Sequence, residues 1–522
     1  MSGTAKRLPV VVLVHRLNPK VLAHRLNPKV LVHRLSPKVL AHRLNPKVSV
    51  SIVFVLAMFM TIMDITIVNV ALPTLARDFN VNPAHIDSVV VGFLVSLAVF
   101  IPASGWLGDR FGMKRIFLLA LAIFTVASAL CGLSQSLTQL VIFRILQGVG
   151  GGMLTPVGMA MLFRTFPPAE RVRASRILIV PTAFAPALGP VLGGLLVTDA
   201  SWRWVFYVNV PIGIIALTFG ALFVREHREP AAGRFDAGGF VLAGAGLASL
   251  MYALSEGPAR GWSSPLIVGL GIAGVVLLSA LVRYELRIDE PMIDLRLVSN
   301  RLFRANTIVI FITTAAFLGT LYLVALFFQD GLGLSALGSG LSTFPEALGV
   351  MLGAQFASRS YAWFGPRRVM SIGLVALAGV MLLLTLVGFS TNLWIVRLIM
   401  FALGVAIAHV FVPSQAAAFA SISPASTGRA STMFNTARQV GGALGVAVLT
   451  TVISAVGITH VVGGHVAPNL TAFHRAFATA AAIAFAASWF AWQIDDRDAA
   501  STMKPRRSTA AKDDDQLVAV SS

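Results

Sequence analysis

Asp64, Arg144 and Glu346 are ionisable residues inside otherwise apolar stretches of this chain. Charge in a hydrocarbon-spanning segment is expensive, so such a group faces a bundle interior or a wet cavity and is a functional candidate by default. Asp64 and Glu346 are carboxylates that could take up and release a proton. Glu346 could also neutralise a cationic substrate. Arg144 stays charged and would tune a nearby carboxylate by proximity. Gln147 and Gly148, three and four residues on, share its helix face. Each charge has a plainer reading, with Asp64 as a helix–helix hydrogen bond and Arg144 as a pin between helices. The desolvation cost of a buried guanidinium favours function for Arg144. Glu346 rests on burial alone.

The other chemistry-bearing residues point away from catalysis. His409, alone in its apolar stretch, reads as a satisfied core histidine, and Arg397 as a side chain that snorkels to the interface. No HExxH, nucleophile elbow or helically paired histidines occur, which disfavours a membrane-embedded enzyme. Cys131 is the only cysteine, so neither an intrachain disulfide nor a thiolate metal cluster is expected, and no cofactor is implied.

The elements that must hold these residues follow from composition. Of 522 residues, 56% are hydrophobic and 12% charged, against about 25% charged in soluble domains. The chain is therefore expected to be an all-α polytopic membrane protein. About 20 apolar residues cross a bilayer, and that ruler predicts fourteen transmembrane helices, near 50–72, 88–108, 116–134, 138–160, 176–198, 204–224, 238–255, 265–284, 304–328, 337–358, 369–389, 393–413, 430–456 and 472–493. They divide into a six-helix bundle over 50–224, a connecting segment over 225–303 with a two-helix insertion, and a second six-helix bundle over 304–493. A basic arm (1–49) and a polar tail (494–522) flank them, both expected to be disordered.

Cation counting sets the orientation. Arg110, Lys114 and Arg115, then Arg164, Arg171, Arg173 and Arg176, then Arg225, Arg228 and Arg234, fall on one side, and later loops continue the pattern. The opposite side holds only Arg77, Arg203, Arg260 and Arg475. The positive-inside rule puts the rich side, and both termini, in the cytoplasm of a cell (inner) membrane protein. The formal charge of +19 is thereby explained without nucleic acid, since ten of the cations lie in residues 1–50 with no acid among them.

Several strings join these spans. GWLGDRFGMKR, Gly105 to Arg115, is a short cytoplasmic hairpin whose Asp109 must find a donor or a cation at the membrane edge. GPRR at Gly365–Arg368 sits where a second copy would fall, but lacks the aspartate. MDITIVNVALP carries Asp64 and ends at Pro73, which should end or kink its helix. In APALGPVLGG, Pro190 bends the fifth span, while Gly189, Gly193 and Gly194 permit close packing. SWRWVFYVNVPIG sets Trp202, Trp204 and Tyr207 at the outer interface. FNTARQVGGALG puts Asn435, Arg438, Gln439 and Gly442 on one face, with Gly441 and Gly445 as a small-xxx-small contact. Asp236 is placed to cap the seventh helix.

The hairpin resembles the signature loop of the major facilitator superfamily, which follows the second transmembrane helix. MDITIVNVALP resembles the first-helix motif of the fourteen-helix drug:proton antiporters, and LVIFRILQGVGGG a fourth-helix motif whose arginine is assigned a part in proton coupling. APALGPVLGG resembles the motif that marks antiporters, although Ala185 stands where a further glycine is frequent. The strings at 201–213 and 434–445 are similar to those of Emr/Qac-type multidrug exporters. The resemblance implies a proton-coupled exporter of hydrophobic or amphipathic compounds, working by alternating access. Asp64, Arg144 and Glu346 would serve coupling, and Gly105, Asp109, Arg110, Gly112 and Arg115 would form the inner gate. Implied partners are a small hydrophobic or cationic substrate, protons and membrane lipid, with a periplasmic adaptor and an outer-membrane channel left open. Export of one endogenous metabolite, such as a siderophore or amino-acid derivative, is the alternative.

Residues 12–47 repeat a nine-residue unit four times (VLVHRLNPK and near-copies), and a proline in every unit would break any continuous helix. The arm could lie on anionic lipid, at about 1 kcal/mol per cation near the surface. The preferred reading is a tandem duplication, or translation from upstream of the true start, without a selected role, because basic flanks alone are expected before a first span. Deleting residues 2–47 should leave membrane insertion and transport intact; loss of both would assign the arm a function.

Overall fold

A computed structural model describes residues 44–81, 86–229, 233–462 and 465–503. Most of the repeat arm and the end of the tail lie outside these residues. Its helices in chain order are α1 Pro46–Asp78, α2 Ser88–Phe111, α3 Met113–Leu133, α4 Leu137–Thr165, α5 Arg171–Asp199, α6 Trp204–Phe223, α7 Ala237–Arg260, α8 Pro265–Glu285, α9 Arg301–Leu326, α10 Ala336–Leu383, α11 Leu393–Ala418, α12 Thr427–Val456 and α13 Leu470–Trp492. A two-stranded antiparallel hairpin, β1 Thr459–Val462 and β2 His465–Pro468, joins the last two.

Twelve of the described helices are long and apolar enough to cross a membrane, against fourteen spans expected. The difference arises at two places. The helix α5, Arg171–Asp199, is not among the twelve. In α10, two expected spans run together through 48 residues, with non-helical backbone at Gly365 inside.

Helix ends follow local chemistry. The Asn45 side chain accepts from Lys47 N at 3.0 Å, with Pro46 in the first turn of α1. Asp236 caps α7 as expected, accepting from Gly239 N at 2.7 Å. Pro73 does not end α1, which continues to Asp78. Leu75 and Ala76 in that last turn are buried against a cluster containing Trp202 and Phe206, and this packing offsets the lost backbone hydrogen bond. Trp202 is therefore core rather than interfacial, donating to Asp78 Oδ2 at 2.6 Å, while Trp204 is exposed.

In the first half, α1 packs on α5 and α6, and α4 on α2 and α3; in the second, α9 packs on α12 and α13, and α10 on α11. The halves meet where α5 lies on α10 and α11, and where α12 lies on α2 and α4. The extra pair α7 and α8 pack on each other, and α7 also touches α2 and α12. Inside the first half, α2 approaches α4 closely. A Cβ at Gly148 would strike Ser96 and the Phe93 carbonyl, and one at Gly152 the Leu97 carbonyl. Gly441 and Gly445 of α12 approach the carbonyls of Phe311 and Ala315 in α9 in the same way, as the small-residue pattern implies.

One local device occurs twice. Gly112 has φ 103° and Gly365 φ 79°, a region that favours glycine. Each stands at the start of a helix whose free N–H groups meet a carboxylate from further along the chain. Glu226 accepts from Lys114 N at 3.0 Å and Arg115 N at 3.2 Å; Asp496 accepts from Arg367 N at 2.9 Å. GPRR is thus a structural counterpart of the first loop.

Because Gly152 faces backbone that cannot yield, Gly152→Val should destabilise the protein by about 1–3 kcal/mol, seen as a lower melting temperature in detergent. Gly269→Ala, with nothing within 4 Å of the added carbon, should leave it unchanged or slightly raised.

Candidate functional site

Asp64 and Arg144 form a buried ion pair, with relative exposures of 0% and 1% for their side chains. Arg144 donates to Asp64 Oδ2, to Gln147 Oε1 at 2.8 Å and to the Val89 carbonyl at 3.3 Å. Its guanidinium carbon lies 4.2 Å from the centre of the Phe93 ring, a cation–π contact strengthened by desolvation. The other carboxylate oxygen, Oδ1, accepts from Gln147 Nε2 and Asn209 Nδ2, both at 2.9 Å. Asn209 also donates to Ser128 Oγ at 3.1 Å, and Ser128 donates to the Phe206 carbonyl at 2.9 Å. Four helices, α1, α3, α4 and α6, thus converge on one carboxylate. Asn209 Oδ1 is buried without a hydrogen-bond partner among the described residues.

Asn209 and Ser128 were not singled out by their sequence. Asn209 stood in the open as an amide within the apolar run VNVPIG, the same signal that exposed Asp64. In that string the aromatic residues are the louder feature.

A second charged site lies where the Gly105–Arg115 loop turns. Asp109 Oδ1 accepts from Arg164 at 2.9 Å, both side chains nearly buried. A Cβ at Gly428, in the first turn of α12, would meet the same carboxylate, so Asp109 sits against the electropositive end of that helix. Gly105 is equally close: a Cβ there would strike Thr432 and the Gly428 carbonyl. Ser104 lies 3.3 Å from Thr432 Oγ1, Ser431 donates to the Pro156 carbonyl at 2.7 Å, and Phe163 stacks on Phe419 at 4.5 Å. The two halves are therefore closed against each other at the loop end.

The remaining expected loop residues sit elsewhere. Arg110 is exposed, and only its carbonyl takes part, accepting from Arg228 Nε at 2.7 Å. Arg115 is exposed and lies 3.7 Å from Glu226. The segment after α6 straps the loop, with Met113 N donating to the His227 carbonyl at 2.9 Å and Glu229 N to the Asp109 carbonyl at 3.1 Å. Burial, and then the Arg164 charge, lowers the pKa of the His227 imidazole below its usual value. Arg164 was counted in the sequence as a loop cation, and its partnership with Asp109 depends on a fold that brings 109 beside 164.

The fifth-helix glycines divide. Gly189 and Gly193 face Thr66, Ile67 and Val70 of α1, whereas Gly194 has nothing within 4 Å; the side chain of Pro190 lies outside the described residues. Glu346 is buried in α10, in a small cavity with Ile179, Phe317, Ile407 and Phe411. No hydrogen bond or ion pair engages it among the described residues. On α12, Asn435 is buried and turns to Met159 of α4, while Arg438 and Gln439 are half-buried. His409 turns to its own helix, with Nδ1 donating to the Val405 carbonyl at 2.7 Å. No group of three or more metal-ligating side chains occurs among the described residues.

The model of the Major Facilitator Superfamily matches residues 54–446, a stretch that includes both charged sites. The chain belongs to the major facilitator superfamily. This facilitator is 32% identical over 406 residues to a multidrug resistance protein B homolog of Mycobacterium tuberculosis, covering 77% of this chain and 75% of that protein. It is 34% identical over 352 residues to the putative multidrug resistance protein MdtD of Serratia proteamaculans, covering 66% and 72%. Among solved structures, the human organic anion transporter MFSD10 (TETRAN) shares the fold with TM-score 0.62 at 17% identity, covering 85% of this chain and 99% of that one. The proton:xylose symporter XylE matches with TM-score 0.57 at 15% identity, covering 86% and 96%. Like its family, this protein is a transporter of small substrates rather than an enzyme.

Removing one member of a buried ion pair leaves an uncompensated charge, at a cost of about 3–5 kcal/mol. Arg144→Met should therefore lower the melting temperature strongly. Adding Asp64→Asn to it should restore part of the loss, because no bare carboxylate then remains; an additive double variant would mean that the two charges do not interact.

Proposed function

We propose that this facilitator is a proton-driven exporter of hydrophobic or amphipathic compounds. The observation that carries the reading is the Asp64–Arg144 pair, a carboxylate fully enclosed yet held by its charge. A proton on Asp64 would cancel that charge and turn an acceptor into a donor, so Arg144, Gln147 and Asn209 would have to re-pair. Such a change shifts a conformational equilibrium only if the inward- and outward-facing states bind the proton differently. Asp64 is poised for that difference, because its donors come from separate helices. Glu346, buried without a partner among the described residues, is the second candidate carrier. The relatives' multidrug names and the fifth-helix resemblance support export and a broad substrate range.

On this reading the chain crosses the membrane fourteen times. The break at Gly365 separates two crossings within α10, and α5 supplies another. Residues 50–224 and 304–493 form the two six-helix bundles, with α7 and α8 as the inserted pair within 225–303. The loop end faces the cytoplasm, as the cation asymmetry requires. Closure there, through Asp109–Arg164 and the α2–α12 contacts, corresponds to an outward-facing state. Gly189 and Gly193, by admitting α1 close to α5, would let the helix that carries Asp64 shift as the bundles rock.

Proteoliposomes loaded with a fluorescent amphipathic dye and given a pH gradient should show dye movement that collapses with the gradient. Asp64→Asn should reduce that movement by about tenfold or more while still binding dye, because an amide cannot exchange a proton. Movement that survives collapse of the gradient would defeat proton coupling.

A further inference from the structure

We propose that the cargo site of this transporter includes an anion-recognition point at Arg438, so that its substrates include amphipathic compounds bearing one acidic group. The proposal deepens the transport reading above and rests on it. Ser431, Asn435 and Arg438 lie on one stripe of α12, at i, i+4 and i+7. The first two face the other half of the molecule, Ser431 bonded to the Pro156 carbonyl and Asn435 against Met159 Sδ at 3.3 Å. Arg438 continues that stripe one turn further from the loop end. That register sets Arg438 on the face of α12 that looks toward the other half, one turn beyond the contacts that close the passage.

Two other interior arginines are paired. Arg144 closes on Asp64 and Arg164 on Asp109. Arg438 is only half-buried, and no hydrogen bond or ion pair engages it among the described residues. Glu346, another unengaged interior charge, makes no ion pair with it among the described residues. A guanidinium cannot discharge itself by losing its proton. With five donors and no acceptor, it is complementary to a carboxylate, sulfonate or phosphate oxygen, which it binds as a charge-assisted fork. A purely cationic cargo would be repelled from this position. A cargo with an apolar body and one acidic group would fill it.

A matched pair of probes separates this inference from the transport reading: 1-anilinonaphthalene-8-sulfonate and its uncharged parent N-phenyl-1-naphthylamine differ by one sulfonate. In proteoliposomes holding the full chain, the wild type should move both probes under a pH gradient. Arg438→Gln should weaken binding of the sulfonate by about tenfold, the scale of one charge-assisted interaction, and cut its transport in proportion. Movement of the neutral probe should stay within about twofold of wild type, which shows that the variant is folded. Arg438→Lys, keeping the charge but losing the fork, should recover part of the sulfonate transport. Equal loss of both probes would make Arg438 structural and overturn the proposal, as would a wild type that moves the neutral probe alone or an Arg438→Gln variant that keeps full sulfonate transport. A wild type that moves neither probe would overturn the transport reading and this proposal together.

Discussion

The first half of the molecule is organised around the cost of burying one ion pair. Taking Asp64 and Arg144 out of water costs several kcal/mol per ion, and their mutual attraction compensates only if the remaining lone pairs and protons are also satisfied. Here the demand is met by Gln147 and Asn209 on the carboxylate, and by the Val89 carbonyl and the Phe93 ring on the guanidinium. The pair and its partners together come from α1, α2, α4 and α6, so the registers of four helices are tied to one another. The glycines of α4 serve the same end, since α2 could not bring Phe93 and Val89 to Arg144 if Gly148 and Gly152 carried side chains. Packing and electrostatics are therefore one constraint in this region.

The second half repeats the framework without the charges. Gly365 with Asp496 reproduces the geometry of Gly112 with Glu226, a left-handed glycine followed by helix N–H groups that a distant carboxylate accepts. That device needs only a short loop and one acid, and both halves keep it. The Asp109–Arg164 pair has no counterpart in ASRSYAWF, which precedes GPRR and carries no acid. Closure at the loop end is consequently asymmetric, with the first half supplying the ion pair and the second the helix end against which it sits.

How much of this was legible depends on whether the signal was local. Asp64 and Arg144 stand out because an apolar background makes any ionisable residue conspicuous, and the Gly441–Gly445 pattern reads directly as a close helix contact. Asp236 as a cap is likewise written in its neighbours. What could not be read is pairing across distance. Nothing near Asp109 names Arg164, nothing near Gly112 names Glu226, and the carboxylate of Asp64 gathers donors from residues 144, 147 and 209. Arg110 shows the converse: its place in a recognised loop suggested a gate side chain, yet it points to solvent and only its carbonyl is used. Pro73 failed as a helix terminator because buried packing outweighed a single missing donor. The two crossings that hydropathy separates at 337–358 and 369–389 meet at Gly365, where the backbone leaves helical geometry for a single residue before the helix resumes.

The two charged sites are joined by α4. Arg144 and Arg164 lie about 30 Å apart along it, at 1.5 Å per residue, and each is gripped by an aspartate from another helix, Asp64 of α1 and Asp109 of α2. α2 runs beside α4 over the same length, touching Arg144 with Phe93 at one end and Arg164 with Asp109 at the other. Between them Pro156 lacks a backbone N–H, while its carbonyl accepts from Ser431 of α12. A change at Asp64 that frees Arg144 therefore need not travel through a chain of small side-chain movements. It loosens one end of a two-helix unit whose other end holds the closed loop and whose middle is bonded to the opposite half. Coupling of this kind requires an element with two discrete arrangements that both sites bias. The α2–α4 unit meets the structural part of that requirement, because its ends are ion pairs, which are either made or broken, and its interior is too tightly packed at Gly148 and Gly152 to deform gradually.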